Sequence, residues 1–341
     1  MVQKTSKLGG TASNVSVSRV AHGLMLMTWT PTPVPDEQCF EAIKAGVDAL
    51  PAGTKMLLNS AEFYGPTMGT DNLEMLARFY AKYPDYADKT FVVVKGGFDR
   101  AKFAPNNSPE FLRASADNCQ KALGPNKKVD VYEPARVDKQ FPIEETMKVL
   151  VELKNEGKFD HIGLSECSAA TLRRAHAVYP VSTVEIEVSA FSYEEETIKV
   201  IDAATELGVS VLAYSPLGRG MLTGALKSLS ELPEGDMRHR FTRFKDEETL
   251  KHNLMIVDEL KSFAETKGIT VGQLCIAWVA AQSPVMIPIP GSSKHPRTLE
   301  NLSAGDVELS GADVKKVSDI IASHGGVKGD RSNGMAMHLW G

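Results

Sequence analysis

Seven strings in this 341-residue chain set polar or titratable side chains directly after apolar runs: LLNSAEFYG (57–65), VVVKGG (92–97), DVYEPARVD (130–138), IGLSECS (162–168), VEIEVS (184–189), AYSPLGRG (213–220) and PIPGSSKHPR (288–297). Tyr64 and Lys95 are side-chain types that can move a proton between them. A phenol ionises near about 10, and a neighbouring ammonium lowers that value by favouring the phenolate. Taken alone, Tyr64 reads equally well as a rim aromatic packed on the core. Ser292, Ser293, Lys294 and Arg297 bring two hydroxyls and two cations within six residues, a set that suits a dianion. The plainer reading, Ser292 as a helix cap and Arg297 as a solvated helix residue, does not compete, because helix N-termini attract anions. The histidines, His22, His161 and His295 among them, show no metal-ligand spacing and read as solvated or core residues.

These strings need elements that carry them to one place. From residue 20 onward, short β-branched runs alternate with longer segments of helical period, the pattern of parallel strands joined by helices. Candidate strands are 20–27, 56–60, 90–94, 129–133, 160–164, 183–188, 209–214 and 285–289, with room between them for crossover helices. Ile143, Met147, Leu150 and Val151 recur at helical spacing before Gly157, and Leu250, Leu254, Val257, Leu260 and Ala264 do so before Gly268. A further helix is expected over 270–282. Eight strands alternating with helices predict an α/β fold, a (β/α)₈ TIM barrel, with the polar strings on extended loops at the carboxyl ends of the strands. The stretch 215–247 reads as a long loop after the seventh strand, and the Gly-rich tail from about 325 as a segment wrapped over a surface. One domain over 1–341 is expected, its barrel at about 20–303 and a C-terminal helix and tail over 310–341.

Composition narrows the partners. The chain is 43% hydrophobic and 24% charged, which predicts an extensive folded core. The net charge of -5 comes from interspersed acids and bases, so neither nucleic acid nor an anionic membrane is an expected partner. Cys39, Cys119, Cys167 and Cys275 are too few and too scattered for a disulfide framework. With no signal-like apolar run near the start, that points to a reducing compartment, the cytoplasm or also the nucleus.

In their order, the strings resemble the aldo-keto reductase family from about residue 20 to residue 303. Asn59-Ser60-Ala61-Glu62-Phe63-Tyr64-Gly65 is similar to that family's tyrosine motif, and Lys95 to its lysine. The resemblance implies Tyr64 as general acid, poised by Lys95. It implies that Ser165, Glu166, Glu185 and Tyr214 meet the nicotinamide, and that Ser215, Leu217, Gly218 and Arg219 cover the pyrophosphate. Gly291, Ser292, Ser293, Lys294 and Arg297 would take an adenosine phosphate, with Glu300 and Asn301 near the adenine. NADPH is the implied cofactor and no metal is implied. Within the family the likeness is greatest to the fungal pyridoxal reductase branch, carried by NSAEFYG, VVVKGG, DVYEPARVD and GKFDHIGLSECSAATLRRA (157–175). That implies reduction of pyridoxal to pyridoxine, a broader aldehyde reductase being the alternative. Trp29, Phe63, Glu133, Ala135, Arg136 and Trp340 are candidates for the substrate pocket.

The chain departs from the family pattern at four places. Asn59 stands for the usual Asp, which leaves Lys95 without its customary acid and predicts a lowered pKa unless another acid, the Asn59 carbonyl or a substrate phosphate holds it. Ala135 stands for the usual His, and Glu166 and Glu185 for amides, where they read either as carboxamide acceptors or as bridges between loops. These changes admit a rival class, a nucleotide-sensing subunit with negligible turnover, although cofactor binding alone does not call for Tyr64 with Lys95. A barrel that binds no nucleotide would show no change in melting temperature with NADPH.

Overall fold

A computed structural model describes residues 2–331 and 339–341. Eight parallel strands pair in chain order: β1 (His22–Gly23), β2 (Met56–Ala61), β3 (Thr90–Gly96), β4 (Val131–Pro134), β5 (His161–Ser165), β6 (Thr183–Glu187), β7 (Ser210–Tyr214) and β8 (Met286–Pro288). The ring closes between the first and the last. The Ala21 amide donates to the Pro288 carbonyl at 2.8 Å, the Gly23 amide donates to the Pro290 carbonyl at 3.1 Å, and Gly23 bridges Gly291. This is the (β/α)₈ barrel expected from the alternation.

The first strand is shorter than expected. Of the run 20–27 only His22–Gly23 pairs as strand, and Met25–Thr28 turns into helix, the Trp29 amide donating to the Met25 carbonyl at 2.9 Å. A short apolar run cannot distinguish strand from buried helix, and leucine and methionine favour the latter.

Helices α1 (Asp36–Asp48), α2 (Asp71–Lys82), α3 (Pro109–Leu123), α4 (Ile143–Asn155), α5 (Ala169–Val178) and α6 (Glu195–Leu207) follow the first six strands. α7 (Glu247–Thr266) and α8 (Val271–Ala281) lie between β7 and β8, and α9 (His295–Ser303) and α10 (Gly311–Ser323) follow β8. Thr270 and Gln273 form a reciprocal cap at the start of α8, and the Trp278 indole N–H donates to the Val314 carbonyl at 3.2 Å, tying α8 to α10. Ile143, Met147 and Leu150 of α4 are buried, as the 3.6-residue period predicts, whereas Val151 is half-buried and Leu153 is buried in its stead. The stretch 215–247 is less irregular than the sequence suggests: it contains short 3-10 turns at Gly218–Thr223, Leu229–Glu231, Met237–Arg240 and Thr242–Phe244.

Alternation along the strands builds the site. Leu57, Phe91, Val93, Val131, Leu212 and Ile287 fill the barrel interior. The next inward positions on the same strands are Asn59, Lys95, Glu133 and then Ala135, and Tyr214, all towards the carboxyl ends. The opposite end is sealed by an antiparallel hairpin of Thr5–Lys7 with Ser16–Ser18, whose Leu8, Ala12 and Val17 join the interior cluster. Gly10, in the left-handed region at φ +51°, lies so close to the Val181 carbonyl that no side chain fits there. With strands of only three residues, this plug leaves no periodic pattern in the sequence.

Candidate active site

Lys95 ends β3 with its side chain directed across the barrel. Its ammonium donates to Asn59 Oδ1 at 2.8 Å, to Glu185 Oε2 at 3.0 Å and to the Ser60 carbonyl at 3.2 Å. The Asn59 amide in turn donates to Glu185 Oε2 at 2.6 Å, so the three side chains close a triangle between β2, β3 and β6. Lys95 and Glu185 are 5% and 4% exposed, which makes this a buried ion pair. Of the replacements open for the missing acid, the Asn59 carbonyl and another acid, Glu185, both hold the lysine, so the lowered pKa does not arise. Burial alone would lower the Lys95 pKa, but the Glu185 charge, helped by Tyr64 and Glu133, outweighs it and the net shift is upward.

Tyr64 sits over this triangle, its ring centroid 5.1 Å from the Lys95 nitrogen. Thr28 Oγ1 donates to the Tyr64 carbonyl at 2.6 Å and fixes the loop that carries it. Its phenol pKa is raised rather than lowered. Burial pushes it up, Lys95 pulls it down, and the Glu185 carboxylate, which repels a phenolate, pushes it up again. A lysine already paired to a carboxylate polarises a neighbouring phenol less than a bare one does.

At the end of β4, Ala135 leaves open the space its neighbours border, and its amide donates to the Gly96 carbonyl at 2.7 Å. Glu133 does point inward but lies below the cavity floor. Thr183 Oγ1 donates to its Oε1 at 2.6 Å, while Oε2 is buried with no partner. Burial, then Glu185, raises its pKa well above the carboxylate range. Arg136 turns into the cavity, its Nη1 donating to the Ala135 carbonyl at 2.7 Å and to Ser165 Oγ at 3.1 Å.

The cavity has a volume of about 500 Å³ and opens at the carboxyl ends of the strands. One wall is aromatic: Trp29 packs against Phe63 with centroids 6.0 Å apart, Phe63 against Phe98 at 5.5 Å, and Phe98 against Phe103 at 5.5 Å. Asn59, Tyr64, Lys95, Glu185, Tyr214 and Ala135 form its floor. Ser215, Leu217, Arg219, Gly291 and Arg297 line the far side, whereas Gly218, Ser292, Ser293, Lys294, Glu300 and Asn301 stand behind it. Ser292 Oγ accepts from the Lys294 amide at 3.1 Å, and the Ser292 carbonyl contacts His22 Nε2 at 2.7 Å. Gln38 holds the Ser293 carbonyl at 2.9 Å. Lys294 and Arg297 flank the first turn of α9, and Glu300 pairs with Arg297 at 3.3 Å and accepts from Thr270 Oγ1. Asn301 is buried within α9.

Ion pairs that sequence motifs did not reveal surround the rim. Glu166 is wholly buried and accepts from both terminal nitrogens of Arg331 at 3.0 Å and from the Tyr214 hydroxyl at 2.7 Å, so it anchors the tail, and its pKa is lowered because Arg331 and Arg136 outweigh burial. Arg219 pairs with Glu187 at 3.3 Å, and Ser192 joins Glu187 to Arg243 through bonds of 3.0 and 2.8 Å. Trp340 lies 4.7 Å over the Arg331 guanidinium instead of facing the cavity, which Leu339 lines. The expectation that the tail wraps a surface holds at Arg331 and 339–341, and residues 332–338 fall outside the described ones. Arg331 lies 165 residues from Glu166, a separation at which no spacing rule operates. Backbone strain marks the same region: Met68, Phe103, Glu166, Ser215 and Arg219 all have φ between +51° and +59° without being glycine.

Among the described residues no three side chains are placed to hold a metal ion, and no helix is long and apolar enough to cross a membrane. The sequence matches the model of the aldo/keto reductase family over residues 19–322. It is 35% identical over 312 residues to the probable pyridoxal reductase 2 of Schizosaccharomyces pombe, covering 90% of this chain and 92% of that one. It is 39% identical over 267 residues to an NADP(+)-named aldo-keto reductase of the same yeast, covering 76% and 77%. A glycerol dehydrogenase from Gluconobacter oxydans superposes with a TM-score of 0.80 at 25% identity over 97% of this chain and 99% of that one.

Proposed function

We propose, on the premise that this chain belongs to the aldo/keto reductase family, that it reduces an aldehyde to a primary alcohol with NADPH, and that pyridoxal is the aldehyde and pyridoxine the product. The observation that carries the reading is Tyr64 seated over the paired Lys95 at the floor of a largely apolar cavity. Likeness to a pyridoxal reductase supports the finer assignment. The whole chain, 1–341, is proposed to act as one domain. Its four free, buried cysteines support a reducing compartment, cytoplasm or nucleus.

The residues present fit the cofactor. The α9 N-terminus with Ser292, Ser293, Lys294 and Arg297 would hold a phosphate dianion, supporting NADPH over NADH. Ser215, Leu217, Gly218 and Arg219 would cover the pyrophosphate, and a side chain at Gly220 would meet nothing nearer than Arg238 at 3.7 Å, so the backbone there is open to close approach. Ser165, Glu166, Glu185 and Tyr214 would flank the nicotinamide, and Glu300 and Asn301 the adenine. When bound, NADPH supplies the hydride.

Everything else falls to side chains of the chain itself. The Tyr64 hydroxyl donates its proton to the carbonyl oxygen as negative charge gathers there, and its raised pKa keeps that proton in place at neutral pH. Lys95 stabilises the phenolate left behind, and Asn59 and Glu185 hold Lys95 in position. Trp29, Phe63 and the space left by Ala135 admit a flat ring and exclude water.

The test follows NADPH consumption with pyridoxal, benzaldehyde and pyridoxal phosphate, for the native protein and Tyr64→Phe. Native turnover of pyridoxal, reduced by about 10²–10⁴-fold in the variant, is the expected result. Turnover of other aldehydes alone would discard the vitamer, and tight NADPH binding without turnover would favour the nucleotide-sensing alternative that Ala135 suggests.

A further inference from the structure

Arg136 is a cation with no carboxylate within 4 Å among the described residues. Its Nη1 is held by the Ala135 carbonyl and Ser165 Oγ, while its Nε is buried without a hydrogen-bond partner. The acids around it are already ion-paired: Glu185 with Lys95 at 3.0 Å, Glu166, which feels the Arg136 charge only from beyond 4 Å, with Arg331 at 3.0 Å, and Glu187 with Arg219 at 3.3 Å. Glu133 lies below the floor, where burial and then the Glu185 charge raise its pKa and disfavour its charged form. A guanidinium cannot release its proton to escape a poor environment. One left half-buried beside an apolar cavity is stabilised most by an anion that enters that cavity.

Arg136 and Tyr64 both line the cavity, and the arginine charge acts on the Tyr64 phenol. Trp29, Phe63 and Phe98 supply flat ring surface in the same space. Ala135, immediately before Arg136, adds no bulk that would keep a ring substituent from the guanidinium.

We propose that Arg136 binds an anionic substituent carried on the ring of the aldehyde, so that the preferred substrates are aromatic aldehydes bearing an acidic hydroxyl or a carboxylate close to the carbonyl. This deepens the reductase reading and rests on it. A planar guanidinium fork pairs well with a phenolate or carboxylate in a water-poor cavity. A hydroxypyridine aldehyde with its hydroxyl beside the carbonyl meets the description, whereas its methyl ether does not.

The measurement is kcat/KM, with saturating NADPH, for isonicotinaldehyde, its ortho-hydroxy derivative and the ortho-methoxy ether, and for benzaldehyde against meta-carboxybenzaldehyde. The native protein is expected to favour the anionic member of at least one set by roughly ten- to a hundredfold, chiefly through KM. Arg136→Gln should erase most of that preference, and Arg136→Lys should keep part of it. Melting temperature and NADPH affinity of both variants show whether they fold. A native protein without the preference, or a preference that survives Arg136→Gln, overturns the proposal. So does an equal loss for neutral and anionic aldehydes, which would mean that Arg136 serves the developing alkoxide instead. If the native protein reduces none of these aldehydes, the reductase reading itself falls.

Discussion

The acid that balances Lys95 stands on β6, ninety residues further along the chain, and the neighbouring strand offers only an amide. Because Asn59 and Glu185 touch each other and both touch the ammonium, exchanging amide for carboxylate should preserve every contact. Glu185→Gln alone leaves a buried ammonium without its ion-pair partner and should cost about 3–5 kcal/mol together with most activity. Adding Asn59→Asp to that variant should restore much of both, as read from urea melts and kcat/KM; a double variant no better than the single one would show that position, and not only charge, matters. Glu133 gives a second test, through pH. Its folded pKa lies above the unfolded value, so its contribution to stability is greatest below the ordinary carboxylate range and falls as pH rises towards the folded pKa. Glu133→Gln removes that slope. Its melting temperature should gain on the native protein between pH 5 and pH 8, and a constant difference would place the Glu133 pKa in the ordinary range. Tyr64, Lys95 and the missing acid are legible in the motifs, but which residue replaces that acid depends on a contact across the barrel that spacing along the chain does not encode.

Among the elements, the strands were legible where β-branched runs are long and bounded by turn residues, as in β3 with its TFVVVKG. They were not where the run is two residues long, as in β1, or three, as in the hairpin that plugs the base. That hairpin is held by tertiary contact, so periodicity carries no trace of it. Gly10→Ala should drive a methyl group into the Val181 carbonyl and destabilise the fold by about 1–3 kcal/mol in urea melts, while leaving KM for the aldehyde unchanged. A shifted KM would mean that the base and the mouth of the barrel are coupled. The rim, by contrast, is tied by Glu166 and Glu187 to arginines from three remote segments, Arg219, Arg243 and Arg331. Those ties could not be predicted, because nothing in a tail's composition says which acid it will meet.

At the scale of the molecule, one end of the barrel is packed shut and the other carries the charges, the strained backbone and the cavity. All four cysteines are buried in the core: burial pushes Cys39, Cys167 and Cys275 up to about 12, and raises Cys119 well above its ordinary value. Since the thiolate is the reactive form, iodoacetamide at pH 8 should leave the native protein unmodified and give four adducts in urea. Mass spectrometry that finds a native adduct would reveal local opening at that cysteine. The three tryptophans are divided in the same way. Trp278 is 2% exposed and packed on Tyr193 at 5.1 Å, Trp29 flanks Tyr64 at 5.5 Å, and Trp340 covers Arg331. The protein thus carries its own optical gauge: light emitted by Trp29 should dim as a ring enters the cavity, that of Trp340 should follow the tail, and the shielded indole of Trp278 supplies a constant reference until the barrel unfolds.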